Sequence, residues 1–191
     1  MSAPVGSDRV LQLANVPPCQ SCGGGCCTRY SIEVTVYDIE RLAVALSADP
    51  AAFCGTVESW PGRCMIEPSL VDERPVNLVL RQVDRACLFF VGGPHGCSVH
   101  SARPRSCMVY PFMGSSAGLP VQRSDRICPA PWSVSRHAPE TSAELARLDD
   151  EIARHNMLVC ELNHLSPGAN LREHLNALRA ARAFRDTSPP G

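Results

Sequence analysis

A chain of 191 residues, 45% of them apolar and 19% charged, holds enough material for one globular core, which excludes a disordered polymer and means that stability need not depend wholly on metal. A formal net charge of -1 supplies no field to draw in a phosphate backbone or an anionic membrane. No apolar run reaches the roughly 18 to 20 residues of a membrane span, so nucleic acid and membrane are both set aside as partners.

Residues 1–18 read as an N-terminal arm. They end in Val16-Pro17-Pro18, where the prolines fix the backbone and remove donors, and they lack the contiguous apolar stretch of a secretory leader. The expectation is a cytoplasmic protein. Eleven cysteines in a reducing compartment then speak for metal or redox chemistry over structural disulfides.

CQSCGGGCC follows, with three glycines at 23–25 that let the backbone turn tightly while four thiols converge. Thr35 reads as an N-cap with Asp38 three residues on. Ile39, Leu42, Ala43 and Leu46 repeat at helical spacing, which predicts a short amphipathic helix ending before Pro50. A further helical turn is expected through Ala51, Ala52 and Phe53, and residues 54–74 read as loop.

VNLVLRQV at 76–83 and ACLFFV at 86–91 read as strands, and residues 92–96 as the turn of a hairpin that returns over Cys97 to His100. Pro104 and Pro111 limit any helix between them to about one and a half turns, with Cys107 on it. Residues 113–139 read as loop-rich, with a strand near 119–123 and Cys128 before Pro129-Ala130-Pro131.

From Glu140 the pattern is helical, with Leu145, Leu148, Ile152, Leu158 or Val159, and Leu162 on one face. Leu171, Leu175 and Leu178 mark a second helix after Pro167-Gly168. The expected class is α+β: an arm over 1–18, a cysteine-cluster metal-binding domain over 19–135, a helical extension over 136–185 and a disordered tail over 186–191.

Cys19 and Cys22, spaced CxxC, set two sulfurs on one turn, and Cys26 and Cys27 add two within five residues. A second set follows at Cys87, Cys97, Cys107 and Cys128. If the hairpin packs on the glycine turn, the two sets form either one polynuclear centre or two neighbouring sites. Cys54, Cys64 and Cys160 read as small packing residues, since free cysteine buries like a small hydrophobe.

His100 lies between two of these cysteines, although a lone histidine is more often a hydrogen-bonded structural residue. His95 reads as solvated, and His137, His155, His164 and His174 as surface residues of loops or helices. Arg103, Arg105, Arg123, Arg126 and Arg136 against the single Asp125 form a basic stretch. Its two readings are compensation of an anionic thiolate centre, and a solvated or partner-docking face.

CQSCGGGCC, together with ACLFF, GCSVHSARPRSCMVYPF and the later ICP, resembles the YkgJ-like cysteine-cluster proteins across residues 19–129. That family is described as zinc- or iron-chelating and often labelled iron-sulfur containing. The resemblance implies that Cys19, Cys22, Cys26, Cys27, Cys87, Cys97, Cys107 and Cys128 are the shared ligand set. It also implies that Arg103-Pro104 and Tyr110-Pro111-Phe112 are family positions, while His100 stands where the family has a tyrosine or a histidine.

Thiolates suit zinc and iron alike, so the cofactor expected is an iron-sulfur cluster or iron, with zinc as the alternative; the family label tips the balance to iron. No catalytic constellation is visible: there is no phosphate loop, HExxH or GxSxG, and the CxxC lacks the strand and helix of a thioredoxin-type pair. Flagellin lysine methylases carry a similar cluster, which leaves a cluster-bearing part of a modification enzyme as a further reading. A metal-handling or partner-binding protein docking through the C-terminal helices is another.

Overall fold

The structure, a computed structural model, describes residues 23–59, 65–92, 96–115, 120–123, 127 and 134–187, with backbone alone at 134–140 and 186–187. The N-terminal arm, Cys19, Cys22, Cys64, His95, Cys128 and residues 188–191 therefore lie outside the described residues, while Asp186 and Thr187, expected in the tail, continue a helix. Among the described residues, five α-helices and several small antiparallel sheets make the expected α+β class. No described helix is long and apolar enough to cross a membrane.

The glycine turn runs into a one-turn helix, α1 (Gly25–Arg29), which carries Cys26 and Cys27. Next comes α2 (Val36–Leu46), opened by a complete capping box: the Thr35 hydroxyl accepts from the Asp38 amide, and the Asp38 carboxylate accepts from the Thr35 amide at 3.0 Å. Its face of Val36, Ile39, Leu42 and Ala43 is buried, as the spacing requires. The turn expected at 51–53 is a 3-10 turn, Pro50–Ala52, capped by Asp49.

The stretch read as loop after Cys54 contains two strands instead. β1 (Cys54–Glu58) and β2 (Ser69–Val71) flank β3 (Arg74–Leu80) in an antiparallel sheet of order β1-β3-β2, with Cys54 opposite Leu80. Neither short strand alternates cleanly between apolar and polar residues, so only pairing with β3 defines them. On the β3 edge away from β1, Val34 donates to Leu78 and Leu80 donates to Ile32, joining the chain just before α2 to the sheet.

Three short hairpins carry the rest. β4 (Gln82–Val83) pairs with β5 (Ala86–Cys87), β6 (Phe90–Gly92) with β7 (Gly96–Cys97), and β8 (Phe112–Gly114) with β9 (Pro120–Gln122). The return strand expected through His100 stops at Cys97, because residues 100–102 turn into a 3-10 turn. Between Pro104 and Pro111 stands α3 (Arg105–Val109), bearing Cys107.

Two long helices close the fold, α4 (Val134–Leu165) and α5 (Leu171–Thr187). The first begins six residues before Glu140, so the last part of the expected loop is helical. Leu158, Val159, Leu162, Leu175 and Leu178 share one core with α2, β3 and Phe53, while Leu145, Leu148 and Ile152 form a second cluster with Val109 of α3 and Ile66. Each fully buried leucine contributes roughly 1.5–3 kcal/mol, so burial of α4 and α5 is a main source of stability.

His155 and His174 contradict the surface assignment: they are 0% and 1% exposed. His155 Nδ1 accepts the amide of Val36, the first residue of α2, at 3.1 Å, and the buried Nε2 atoms of both histidines lack partners. His164 is exposed, as expected, and the His137 side chain lies outside the described set. Burial, reinforced by the neighbouring His174, pushes His155 down to about 4, and burial lowers His174 as well.

A histidine depressed in the folded state opposes folding once the unfolded chain begins to take up the proton. Its stability contribution is intact above the unfolded value near 6.5 and is lost as pH falls through about 4, a difference of roughly 3 kcal/mol for His155. We expect the urea midpoint of reduced, metal-free protein to fall between about pH 7.5 and 4.5, and His155→Gln, which keeps an acceptor for Val36, to flatten that slope. An equally steep slope in the variant would assign the loss to other groups.

Candidate metal centre

Gly24, the N-cap of α1, has φ 75° and is buried. A Cβ there would lie 2.1 Å from Phe90 Cε2, so only glycine lets the turn reach this ring. Phe90 stands opposite Cys97 in the β6–β7 hairpin, and α1 packs on β5, which carries Cys87. The hairpin therefore does pack on the glycine turn. A Cβ on Gly25 would meet the Ile127 carbonyl oxygen at 3.1 Å, so the residue before Cys128 also lies against α1.

Tyr110 ties these pieces together. It is the C-cap of α3, its ring meets Tyr30 at the end of α1 edge-on with centroids 5.9 Å apart, and its hydroxyl accepts the Ile127 amide at 2.7 Å. The Tyr110-Pro111 bond is cis. Sequence reading marked Tyr110 only through the family resemblance, since nothing local in the sequence reveals a contact with Tyr30 or Ile127.

Cys27, Cys97 and Cys107 pack against the core cluster that contains Cys87, and Cys26 adjoins Cys27 on α1. Cys26 acts electrostatically on Cys27, Cys87, Cys97 and Cys107, drawn from both cysteine sets. The Cys27 thiol bonds to Cys26 and holds it down to about 7, and the same bond pushes Cys27 up. Burial, then neighbouring thiolates, raise Cys87 and Cys107; burial also raises Cys97, with the Arg103 charge opposing it. Among the described residues no three His, Cys, Asp or Glu side chains already stand as a metal-holding group, and three of the eight candidate thiols lie outside that set. The donor chemistry fits a soft metal: several sulfurs withdrawn from water, where like charges are unfavourable until a cation joins them.

His100 has a different task. A guanidinium can only donate, so the contact of Arg103 Nη1 with His100 Nδ1 at 3.1 Å makes that nitrogen the acceptor and leaves the proton on Nε2. Through Nδ1 the ring holds Arg103, which also donates to the His100 carbonyl at 2.6 Å. Of the basic stretch, Arg103 lies near Cys97, whereas Arg105 is committed to Glu144 and Glu151. The side chains of Arg126 and Arg136 lie outside the described residues.

The remaining described cysteines stand apart. Cys54 is buried in β1, where burial pushes its thiol up to about 12, and Cys160 is exposed on α4. Asp38 was legible as a capping residue but not as a hub. It is 1% exposed, and besides the capping box its Oδ1 accepts the Arg105 amide at 2.8 Å and pairs with Arg41.

A family model designated CxxCxxCC, described as a "putative zinc- or iron-chelating domain", matches residues 18–129. The present spacing, Cys19-x2-Cys22-x3-Cys26-Cys27, is one residue longer than that designation. The added length falls in the glycine run, where Gly23 and Gly24 both take positive φ. No solved structure matches the chain.

Proposed function

This chain belongs to the CxxCxxCC family of zinc- or iron-chelating domains, and from that premise we propose that both of its cysteine sets hold a single polynuclear centre of the iron-sulfur type. The observation that carries this reading is the packing of α1, with Cys26 and Cys27, on β5 with Cys87, and of Cys27, Cys97 and Cys107 against the core cluster that holds Cys87. Five thiols exceed the four ligands that close a single structural zinc site. The proposed ligands are Cys26, Cys27, Cys87, Cys97 and Cys107, with Cys19, Cys22 and Cys128 completing the set.

An iron-sulfur cluster bound there would supply one-electron transfer or redox sensing. The protein's own contributions are distinct from that chemistry. Phe90 packs the hairpin onto the glycine turn, Arg103 places positive charge near Cys97, and Tyr110 links α1, α3 and Ile127 beside Cys128. The cysteine usage supports a reducing, cytoplasmic setting.

Burial of Cys87 in the core favours a second reading, a closed zinc-thiolate centre with a purely structural role. Anaerobic purification followed by metal and acid-labile sulfide analysis, with an optical spectrum, separates the two. Iron with sulfide and broad visible charge-transfer absorption is the expected result. Colourless protein with stoichiometric zinc would replace it with the structural reading, and protein with neither metal would overturn both.

A further inference from the structure

Helix α3 is too short to hold its own place. Five residues form barely more than one turn, and an isolated helix of that length is unstable in water. Its N-cap is Pro104, which has no side chain to cap with, so the first amide of the helix is satisfied from outside by Asp38 Oδ1. Cys107 sits two residues further on. Whatever orients Arg105 therefore orients the thiol of Cys107.

The Arg105 guanidinium is gripped from α4, with Nη1 2.5 Å from Glu144 Oε2 and Nη2 2.7 Å from Glu151 Oε1. Glu151 also receives Arg41 of α2 at 2.8 Å, and Arg41 pairs with Asp38. Asp38, Arg41, Arg105 and Glu151 close a loop of ion pairs and hydrogen bonds among three helices, the Arg105 backbone amide supplying the link to Asp38. All are at least half-buried, so solvent screens the loop far less than a surface pair. Glu144 and Glu151 lie outside residues 18–129, the segment matched by the family model.

We propose that Arg105 is a positioning residue for the thiol centre, and that α4 acts through Glu144 and Glu151 as the clamp holding Cys107 in place. The proposal rests on the metal-centre reading above. It assigns the C-terminal helix a part in retaining metal, beyond burying the core. The guanidinium does not neutralise the thiols, because its charge is met by two carboxylates.

The test uses full-length protein as purified, in wild type, the Glu144→Ala/Glu151→Ala double variant, Arg105→Lys, and Arg185→Ala as a control. Arg185 pairs with the exposed Glu161 and lies outside the clamp. Loss of the native metal to excess chelator should be about tenfold faster in the double variant and in Arg105→Lys, in line with the effect of outer-shell partners on metal affinity. In metal-stripped, reduced protein, alkylation of Cys107 by iodoacetamide, mapped by peptide mass spectrometry, should rise several-fold while buried Cys54 stays protected.

A rise at Cys54 equal to that at Cys107 would mean general loosening and overturn the proposal, as would unchanged release and alkylation. If the double variant fails to fold, Arg105→Lys, which keeps charge and approximate volume, decides. Wild-type protein without metal would remove the metal-centre reading alone, because Cys107 alkylation still tests the clamp.

Discussion

Cys26→Ser and Cys107→Ser are each expected to leave the purified protein without its full metal complement and to lower its melting temperature sharply. Serine is nearly isosteric, so packing changes little. What is lost is a thiolate, the form that binds metal, at positions that draw on both cysteine sets. A structural zinc site contributes of order 10 kcal/mol to folding, and removing one ligand from a thiolate centre of comparable worth forfeits a large part of it.

Two controls isolate the effect. Cys160→Ser alters an exposed thiol, and Cys54→Ala alters a buried one that lies outside the cluster, so both should retain metal. The diagnostic measurement is the melting temperature with and without chelator. Wild type should shift, whereas the Cys26 and Cys107 variants should already melt near the chelated value. Full metal content with unchanged melting in both serine variants would refute the assignment of these residues as ligands.

Gly24→Ala should cost about 2–5 kcal/mol, combining a left-handed conformation that alanine resists with overpacking against Phe90. Gly23→Ala supplies the comparison, because Gly23 has φ 66° but nothing within 4 Å of where the added methyl group would stand. It should carry only the conformational part, about 1–2 kcal/mol. The Phe90 ring belongs to the strand paired with Cys97, so if it shifts, Gly24→Ala should also weaken metal retention and Gly23→Ala should not.

Phe90→Ala in combination with Gly24→Ala separates the two terms. If the clash is real, the double variant is more stable than the sum of the single losses predicts, with a coupling of about 1–3 kcal/mol. Simple additivity would show that the glycine is needed for its backbone conformation alone. Urea denaturation of the four proteins, with their metal content, supplies all of these quantities.

Local order was legible where local rules decide it. The Thr35–Asp38 capping box and the spacing of Ile39, Leu42 and Ala43 specify α2 without reference to the rest of the chain, and the apolar stripes of α4 and α5 follow the same logic. The two buried histidines had a signal that residue type obscured. His155 stands three after Ile152 and four before Val159, and His174 three after Leu171 and four before Leu178, so each lies on its helix's apolar stripe. β1 and β2 left no such trace, because short strands take their definition from the partner they pair with.

By itself the sequence determined the chemistry on offer: which thiols are clustered, that soft metals suit them, and which helices present an apolar face. Those are properties of residue type and short-range spacing. Only the tertiary structure decided that α1, with Cys26 and Cys27, packs on the strand of Cys87, that His100 contacts Arg103, and that α4 pairs with Arg105 two residues before Cys107. Each of these depends on a close approach between segments far apart in the chain, such as Gly24 against Phe90. Whether such surfaces come within van der Waals distance is set by how the whole core packs, which no local periodicity encodes.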